Sequence, residues 1–292
     1  MTWPINTNPG AFAGLTGTVS YDEARFAVLP VPFDGTSTWQ KGADRGPDAI
    51  LEASANMELF DIETKSEPWR SGIVTMAPVQ GHTSAEEMVD QVRRATSCLL
   101  ADGKFVVGLG GEHSVSIGLI QAHAAHFEGL MVLQLDAHAD TRDQYDGSRF
   151  NHACVMARVA ELCPAVQVGI RSLDVSEVGN LSPQRTFYAH GFTGSENEIH
   201  AISEQLKGPI YITVDLDVID PSEMPSTGTP EPGGLSYRQL LGILKKVCRK
   251  HKVVGFDVVE LLPNENNKAP DFLAAKLVYQ MMALINKKLN GE

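Results

Sequence analysis

Short apolar runs alternate along this chain with longer stretches in which apolar residues recur at helical spacing. The runs are typical of strands that are buried on both faces, and the longer stretches are typical of amphipathic helices. The predicted strands cover residues 26–32, 72–76, 105–108, 131–135, 166–170, 210–214 and 253–259. The predicted helices cover residues 47–56, 85–100, 115–125, 152–162, 196–206, 237–251 and 271–289. This alternation predicts an α/β fold with a mostly parallel sheet covered by helices on both faces.

The alternation continues from end to end without a linker. We therefore expect a single domain over residues 1–292, which is long enough to bury one large core. Residues 1–24, which are polar and rich in glycine, proline and threonine, are expected to form an N-terminal arm. Residues 179–194 are the most irregular stretch, and residues 220–234 form a proline- and glycine-rich loop. Long loops at strand ends usually shape a substrate pocket.

The composition limits the possible partners and location. A formal net charge of −12 argues against nucleic acid as a partner, because its phosphates would be repelled. The charge suits a cationic small molecule, or it simply keeps the protein in solution. No secretory-type segment and no apolar run near the ~18 residues of a membrane span occur, so we expect a cytoplasmic protein without a membrane partner. The scattered cysteines are expected to be reduced thiols: Cys98, Cys154, Cys163 and Cys248.

Metal-ligand residue types concentrate in three clusters, at residues 110–114, 136–140 and 215–217. The second and third clusters have acidic or histidine residues two positions apart, which point to the same face only if the segment is extended. Both clusters follow predicted strands. The carboxyl ends of parallel strands line the binding crevice of an α/β sheet, so the three clusters are expected to meet there.

Two metal ions account for these residues better than one. Six protein ligands on a single ion would complete an octahedron and exclude water, whereas two ions sharing carboxylates leave a position open. Four aspartates also balance the charge of two divalent cations. Oxygen-rich ligation with two imidazoles favours Mn²⁺ over zinc, and Co²⁺ or Ni²⁺ could occupy the same site. The expected ligands are His113, Asp136, His138, Asp140, Asp215 and Asp217.

In this order and context the clusters resemble those of the ureohydrolase family, which includes arginases and agmatinases. Residues 42–50 are similar to an early segment of that family, and residues 226–235 are similar to its signature after the D-x-D pair. Agmatinase motifs are the most similar. The resemblance implies a three-layer α/β/α fold with a mostly parallel sheet of about eight strands, as also found in deacetylases. It also implies two Mn²⁺ ions on the six ligands and a trimeric or hexameric assembly.

The resemblance further implies the hydrolysis of a guanidino compound to urea and an amine. A guanidinium carbon is a poor electrophile for neutral water, so a metal-activated hydroxide is needed, and Asp140 would help to orient it. His152 matches the catalytic histidine and would move a proton to the leaving amine, unless it only packs at a helix start. Glu260 would pair with the guanidinium, unless it supports the metals instead. Thr227 and Asn151 are expected to contact the substrate.

The far end of the substrate depends on the loop 141–151. The D-x-Y-x-G spacing from Asp143 to Gly147 is similar to that of agmatinases, so agmatine is the first expected substrate. Arg142 and Arg149 in this loop would instead pair with the carboxylate of a guanidino acid such as guanidinobutyrate. Asp174, at the expected pocket rim, would meet a substrate ammonium.

Two alternatives belong to other classes of protein. A catalytically silent homologue could bind a partner or a polyamine, although the intact ligands, His152 and Glu260 count against it. A deacetylase-like enzyme with a single zinc ion would not need His113 and Asp140 as additional ligands.

Overall fold

The computed structural model of the protein describes residues 3–6, 10–17 and 19–289. The strands are β1 (Phe26–Val31), β2 (Ile73–Thr75), β3 (Phe105–Gly110), β4 (Met131–Leu135), β5 (Ala165–Ile170), β6 (Thr186–Tyr188), β7 (Pro209–Asp215) and β8 (Lys252–Val259). The α-helices are α1 (Gly46–Ser54), α2 (Ala85–Ala101), α3 (Val115–His126), α4 (Val155–Ala160), α5 (Glu196–Gln205), α6 (Tyr237–Lys250) and α7 (Ala269–Leu289). Short 3-10 helices, among them His152–Cys154 and Val175–Asn180, lie in the connections.

The strands form one sheet in the order β2-β1-β3-β8-β7-β4-β5-β6. Every strand pair in the described part of the chain is parallel. Parallel strands need crossover connections, and the intervening helices provide them. The predicted α/β class with about eight strands is therefore confirmed, and the described sheet is parallel throughout.

Helices cover both faces of the sheet and give it three layers. One apolar core lies between the sheet and α2, α3 and α4, and the other lies between the sheet and α1, α5, α6 and α7. Successive strand residues alternate between the two cores: Tyr211 of β7 faces the first, and Ile210 and Ile212 face the second. This alternation explains why the central strands are apolar without a period of two in their sequence.

Two elements differ from the sequence-based expectation. β6 lies inside the stretch 179–194, where no strand was expected. The sequence does not reveal this edge strand because it has only three residues, of which Thr186 alone is buried. The helix expected from residue 152 begins instead with the 3-10 turn His152–Cys154, and α4 continues from Val155 to Ala160. Short edge elements carry too few residues for periodicity to reveal them.

The described part of the expected N-terminal arm packs on the β2 edge of the sheet. The backbone N–H of Asn6 donates to the Thr75 carbonyl (2.9 Å), and that of Phe12 donates to Thr75 Oγ1 (2.9 Å). The Phe12 ring is fully buried. Residues 1, 2, 7–9 and 18 of the arm lie outside the described residues. Among the described helices, none combines the length and apolar character needed to cross a membrane.

Gly255 of β8 lies under the imidazole of His123, which α3 buries completely against the sheet. A Cβ atom at position 255 would lie 2.2 Å from His123 Nε2 and 2.9 Å from two ring carbons. Overpacking of this kind costs about 1–3 kcal/mol, so Gly255→Ala should lower the free energy of unfolding in urea by that amount. Gly179→Ala is the control, because a Cβ there meets no described atom within 4 Å. Equal stability of the two variants would contradict this packing argument.

Candidate metal centre

The sheet order brings the ends of four strands side by side. β3, β8, β7 and β4 are consecutive neighbours in the sheet, and they end at Gly110, Val259, Asp215 and Leu135. The three predicted clusters follow β3, β4 and β7, and Glu260 follows β8. All of these side chains therefore start from the same carboxyl edge of the sheet, as the sequence predicted.

The first group of possible ligands surrounds the ring of His113. His113 Nδ1 lies 3.1 Å from Asp136 Oδ2, 3.0 Å from Asp140 Oδ2 and 3.5 Å from Asp215 Oδ2. All four side chains are buried. His113 Nδ1 nevertheless makes no hydrogen bond of good geometry with any described residue. A buried nitrogen that faces three carboxylate oxygens in this way fits the donor set of a divalent metal.

The second group lies beside the first and shares one carboxylate with it. His138 Nδ1 lies 2.8 Å from Asp217 Oδ2 and 3.7 Å from Asp136 Oδ1. Ligand atoms of His113, Asp136 and Asp140 form one compact group, and those of Asp136, His138 and Asp217 form another. Asp136 belongs to both groups, as a carboxylate that bridges two ions would. The structure thus brings all six predicted ligands together.

Backbone N–H groups hold the aspartates of the two D-x-D or D-x-H turns in place. The N–H of His138 donates to Asp136 Oδ1 (2.6 Å), and the N–H of Asp217 donates to Asp215 Oδ1 (2.9 Å). The N–H of Ala137 donates to Asp217 Oδ1 (3.0 Å), which connects the second cluster to the third. The carboxylates of Asp136 and Asp215 are therefore held by their own turns, and that of Asp217 is held by the neighbouring turn.

Two residues of the site have left-handed backbone conformations. Asp140 has φ of 53° and Glu260 has φ of 65°, values that residues other than glycine rarely adopt. The Asp140 carbonyl accepts hydrogen bonds from the N–H groups of Met156 (2.8 Å) and Ala157 (3.2 Å) at the start of α4. These bonds hold the chain in the reversed conformation and direct the Asp140 side chain to the ligand group.

A buried chain of hydroxyl and carboxylate groups orients His113. Thr213 Oγ1 lies 3.0 Å from His113 Nε2 and donates to Asp257 Oδ1 (2.6 Å). The Tyr211 hydroxyl donates to the other oxygen of Asp257 (2.7 Å). Because the Thr213 proton is used by Asp257, Thr213 accepts from His113 Nε2, and Nδ1 is the ring nitrogen that faces the carboxylates. This support was not predicted from the sequence, in which its only signal is an aspartate inside the apolar strand β8.

The titration of the site reflects an excess of buried negative charge. Burial and the charge of Asp136 raise the pKa of Asp140 to about 7, and burial and two neighbouring aspartates raise the pKa of Asp215 well above its usual range. Burial lowers the pKa values of His113 and His138, but the surrounding carboxylates outweigh it and raise both well above normal. Without a metal, protons therefore neutralise this charge. Divalent cations would do the same, so the donor set and the charge both fit a metal pair.

Five of the six side chains, all except Asp136, line a cavity of about 290 Å³. A larger depression of about 820 Å³ lies beside α4 and β5, but none of the six residues lines it. The remaining walls of the smaller cavity carry acidic and basic side chains and one tyrosine ring. They include Arg142, Tyr145, His152, Asp174, Glu177, Thr229 and Glu260.

His152 lies in the cavity wall, with its ring edge-on to Tyr145 at a centroid distance of 6.1 Å. Its Nδ1 lies 3.1 Å from Thr36 Oγ1. Burial lowers the pKa of His152 to about 4, so its ring is neutral near pH 7. Asn151 does not line the cavity; its Oδ1 accepts from the N–H of Ala153 (3.0 Å) and caps the turn that carries His152. Direct contact of Asn151 with the substrate stays a prediction.

Glu260 lines the cavity next to the first ligand group. Its Oε1 accepts from the N–H of His113 (2.7 Å), and burial followed by the charge of Glu112 raises its pKa well above the usual range. A Cβ on Gly228 would lie 3.5 Å from Glu260 Oε2, so the 226–235 loop passes beside the carboxylate. Thr229 of that loop lines the cavity and Thr227 does not, although Thr227 Oγ1 is buried without a partner among the described residues. The role of Thr227 stays a prediction.

Arg142 lies in the cavity wall but is already paired. Its Nε lies 3.4 Å from Glu177 Oε2, and its guanidinium stacks 4.4 Å from the centroid of the Tyr145 ring. Asp174 also lines the cavity, and its Oδ1 accepts from the N–H of Ser176 (2.9 Å) at the start of the 3-10 helix. The cavity wall on this side therefore carries two carboxylates, of which Glu177 is paired with the Arg142 guanidinium.

Arg149 lies away from the cavity, on the protein surface. Its Nη2 pairs with Asp143 Oδ1 (3.1 Å) and Glu161 Oε1 (2.6 Å), and half of the side chain is exposed. It is therefore not placed to meet the end of a bound substrate. The two arginines that suggested a guanidino acid are both held by carboxylates of the protein itself.

The chain is similar to known proteins over most of its length. The arginase family model matches residues 24–284. The N(1)-aminopropylagmatine ureohydrolase of Thermus thermophilus is 42% identical over 269 residues, which cover 90% of this chain and 91% of that protein. The agmatinase of Pyrococcus horikoshii is 31% identical over 272 residues, covering 91% and 94%. The solved agmatine ureohydrolase of Thermoplasma volcanium is 31% identical, with a TM-score of 0.85 and 94% of each chain covered.

Enzymes of the arginase family depend on a binuclear metal centre, and the two adjoining ligand groups at the carboxyl edge of this sheet fit one. The family model and the alignment with the Thermus thermophilus relative each cover nearly the whole chain. The chain therefore belongs to the arginase family and is a hydrolase of the ureohydrolase class.

Proposed function

We propose that this enzyme hydrolyses agmatine to urea and putrescine at a two-metal site. The observation that carries the proposal is the pair of ligand groups that share Asp136, next to a cavity with Glu260 and further carboxylates in its wall. The proposed metal ligands are His113, Asp136, His138, Asp140, Asp215 and Asp217. Mn²⁺ suits this oxygen-rich set best, and Co²⁺ or Ni²⁺ are further candidates.

Bound metal ions would supply a hydroxide at neutral pH by lowering the pKa of water. The residues of the chain would perform the remaining tasks. Glu260 would bind the planar guanidinium with its two oxygens, which places the guanidinium carbon over the ligand groups. Asp140 would accept a hydrogen bond from the attacking group. His152, which is neutral, would take up a proton after attack and return it to the amine nitrogen as the C–N bond breaks.

The charges around the cavity favour a substrate with a positive rather than a negative tail. Asp174 lines the cavity, and Glu231 lies next to it with Oε1 3.8 Å from His138 Nε2. Arg142, the cation in the wall, is neutralised by Glu177. A carboxylate tail would meet these acids without a free partner, whereas an ammonium tail would be attracted by them.

N(1)-aminopropylagmatine is a second candidate substrate. It is favoured by the name of the Thermus thermophilus relative at 42% identity and of a Synechocystis relative at 35% identity. Its tail carries an additional amine, which the acidic rim could also attract. Cytoplasmic location and assembly into a trimer or hexamer remain parts of the proposal that rest on the sequence.

A panel of guanidino substrates tests the choice of substrate. Mn²⁺-loaded enzyme should release urea from agmatine with a kcat/KM at least about tenfold above that for arginine or guanidinobutyrate, the factor that 1.4 kcal/mol provides. N(1)-aminopropylagmatine belongs in the same panel, with the amine product identified by mass. A clear preference for guanidinobutyrate would overturn the charge argument, and a preference for the aminopropyl compound would select the second candidate.

Asp217→Asn tests the second ligand group. The change keeps the shape of the side chain but removes the charge that faces His138, so we expect metal content per chain and urea release both to fall at least about tenfold. Asp48→Asn is the control, because Asp48 is exposed on α1 and outside the cavity. Metal analysis after dialysis and a urea assay measure the two effects. Normal metal content with normal turnover in Asp217→Asn would contradict the proposed ligation.

Metal binding should depend on pH in a defined direction. His113 and His138 have raised pKa values and Asp140 has a pKa of about 7, so the metal-free site holds protons at neutral pH. Metal ligands must lose these protons, and the apparent affinity should therefore rise by about tenfold per pH unit for each proton released. Calorimetric titration with Mn²⁺ at about pH 6 and about pH 8 measures this. Equal affinity at both pH values would refute it.

A further inference from the structure

A series of hydrogen bonds connects a buried carboxylate to the ring of His152. Glu112 is fully buried, and its Oε1 accepts from Thr36 Oγ1 (2.6 Å) and Ser114 Oγ (2.5 Å). Its Oε2 accepts from the backbone N–H groups of Thr36 (2.5 Å) and Ser37 (2.9 Å). The Ser37 hydroxyl also donates to Oε2 (3.4 Å), so every group around this carboxylate is a donor and Glu112 accepts from all of them. Neither Glu112 nor Thr36 is part of the cavity wall.

The position of Glu112 follows from the close packing of two strand ends. The N–H of Gly111 donates to the Val31 carbonyl (2.9 Å), and the N–H of Glu112 donates to the Phe33 carbonyl (2.8 Å). A Cβ at Gly111 would lie 2.0 Å from the Phe33 carbonyl oxygen, so only glycine permits this approach. The end of β1 is thereby fixed against the end of β3, and Thr36, just beyond it, lies over Glu112.

The protons available in this series determine which nitrogen of His152 carries hydrogen. Thr36 has one hydroxyl proton, which Glu112 accepts at 2.6 Å. The same oxygen also lies 3.0 Å from the backbone nitrogen of His152, whose N–H donates to it, and 3.1 Å from His152 Nδ1. Because the hydroxyl has no second proton, it can only accept from Nδ1, which must therefore be protonated. His152 Nε2 is left as the nitrogen with a free lone pair.

We infer that Thr36, oriented by Glu112, is a positioning residue that fixes the tautomer and the direction of the His152 ring. This inference rests on the proposed role of His152 as the group that carries a proton to the leaving amine. The arrangement has the same logic as the carboxylate that holds a catalytic histidine in a hydrolase triad, with a hydroxyl inserted between the two groups. Thr36 touches no substrate and acts only through His152.

Kinetics of Thr36 variants test the inference with whichever substrate of the panel releases urea fastest. Thr36→Val removes the hydroxyl and keeps the shape, so kcat should fall by about 10- to 100-fold while KM stays within about twofold. Thr36→Ser restores the hydroxyl and should restore most of kcat. Thr83→Val is the matched control, because Thr83 makes the same N–H and hydroxyl contacts to Glu87 (2.7 and 2.8 Å) on the surface.

A double-mutant cycle separates positioning from a general structural effect. If Thr36 acts through His152, adding Thr36→Val to His152→Ala should cause no further loss of kcat. Independent, multiplying losses would overturn the inference, because they would show that Thr36 supports the site in another way. Wild-type kcat in Thr36→Val with a reduced kcat in His152→Ala would overturn the positioning role alone. Wild-type kcat in His152→Ala would overturn both the proton-carrying role and this inference.

Glu112→Gln tests the hydrogen bond between Thr36 and Glu112. A thermal unfolding curve first shows whether this variant is folded. The amide places a donor where Thr36 and Ser114 also donate, so the hydroxyl of Thr36 loses its fixed direction. The kcat should fall as in Thr36→Val, and the double variant should be no slower than either single variant. If Glu112→Gln does not fold, the Thr36 and His152 variants alone decide the inference.

Discussion

The structure depends on the burial of four carboxylates around two imidazoles at a single edge of the sheet. Such a cluster is unfavourable unless positive charge neutralises it, and the raised pKa values of Asp140, Asp215 and both histidines show protons in that role. The rest of the fold restrains the cluster from spreading apart. Turn N–H groups, the left-handed Asp140 and the Thr213–Asp257 support each fix one ligand against this repulsion.

The order of the strands explains how distant segments supply one site. β3, β8, β7 and β4 are neighbours in the sheet although their sequence order differs, and parallel pairing places all their carboxyl ends on the same edge. A strand of opposite direction among these four would present its amino end to the site. The parallel arrangement is thus a requirement of the chemistry as well as a property of the fold class.

The sequence alone predicted the fold class and the six proposed ligands, because residues two apart at the ends of apolar runs have a clear geometric meaning. It did not predict β6, which is too short to show a period. It could not decide the role of Arg142 and Arg149, because their partners Glu177 and Glu161 come from elements whose packing is not encoded in local pattern. Thr36 and Asp257 were missed for the same reason: their importance lies in contacts across more than 40 residues.

The anchoring of Asp140 to α4 has a consequence for how this enzyme class diversifies. The Asp140 carbonyl binds the N–H groups of Met156 and Ala157, so both ends of the intervening segment 141–151 are fixed to the scaffold. Changes in the length or composition of that segment can then accumulate without moving the ligand before it or the histidine after it. Recognition of the substrate tail can thus change during evolution through this segment alone, while the metal ligands and the histidine stay in place.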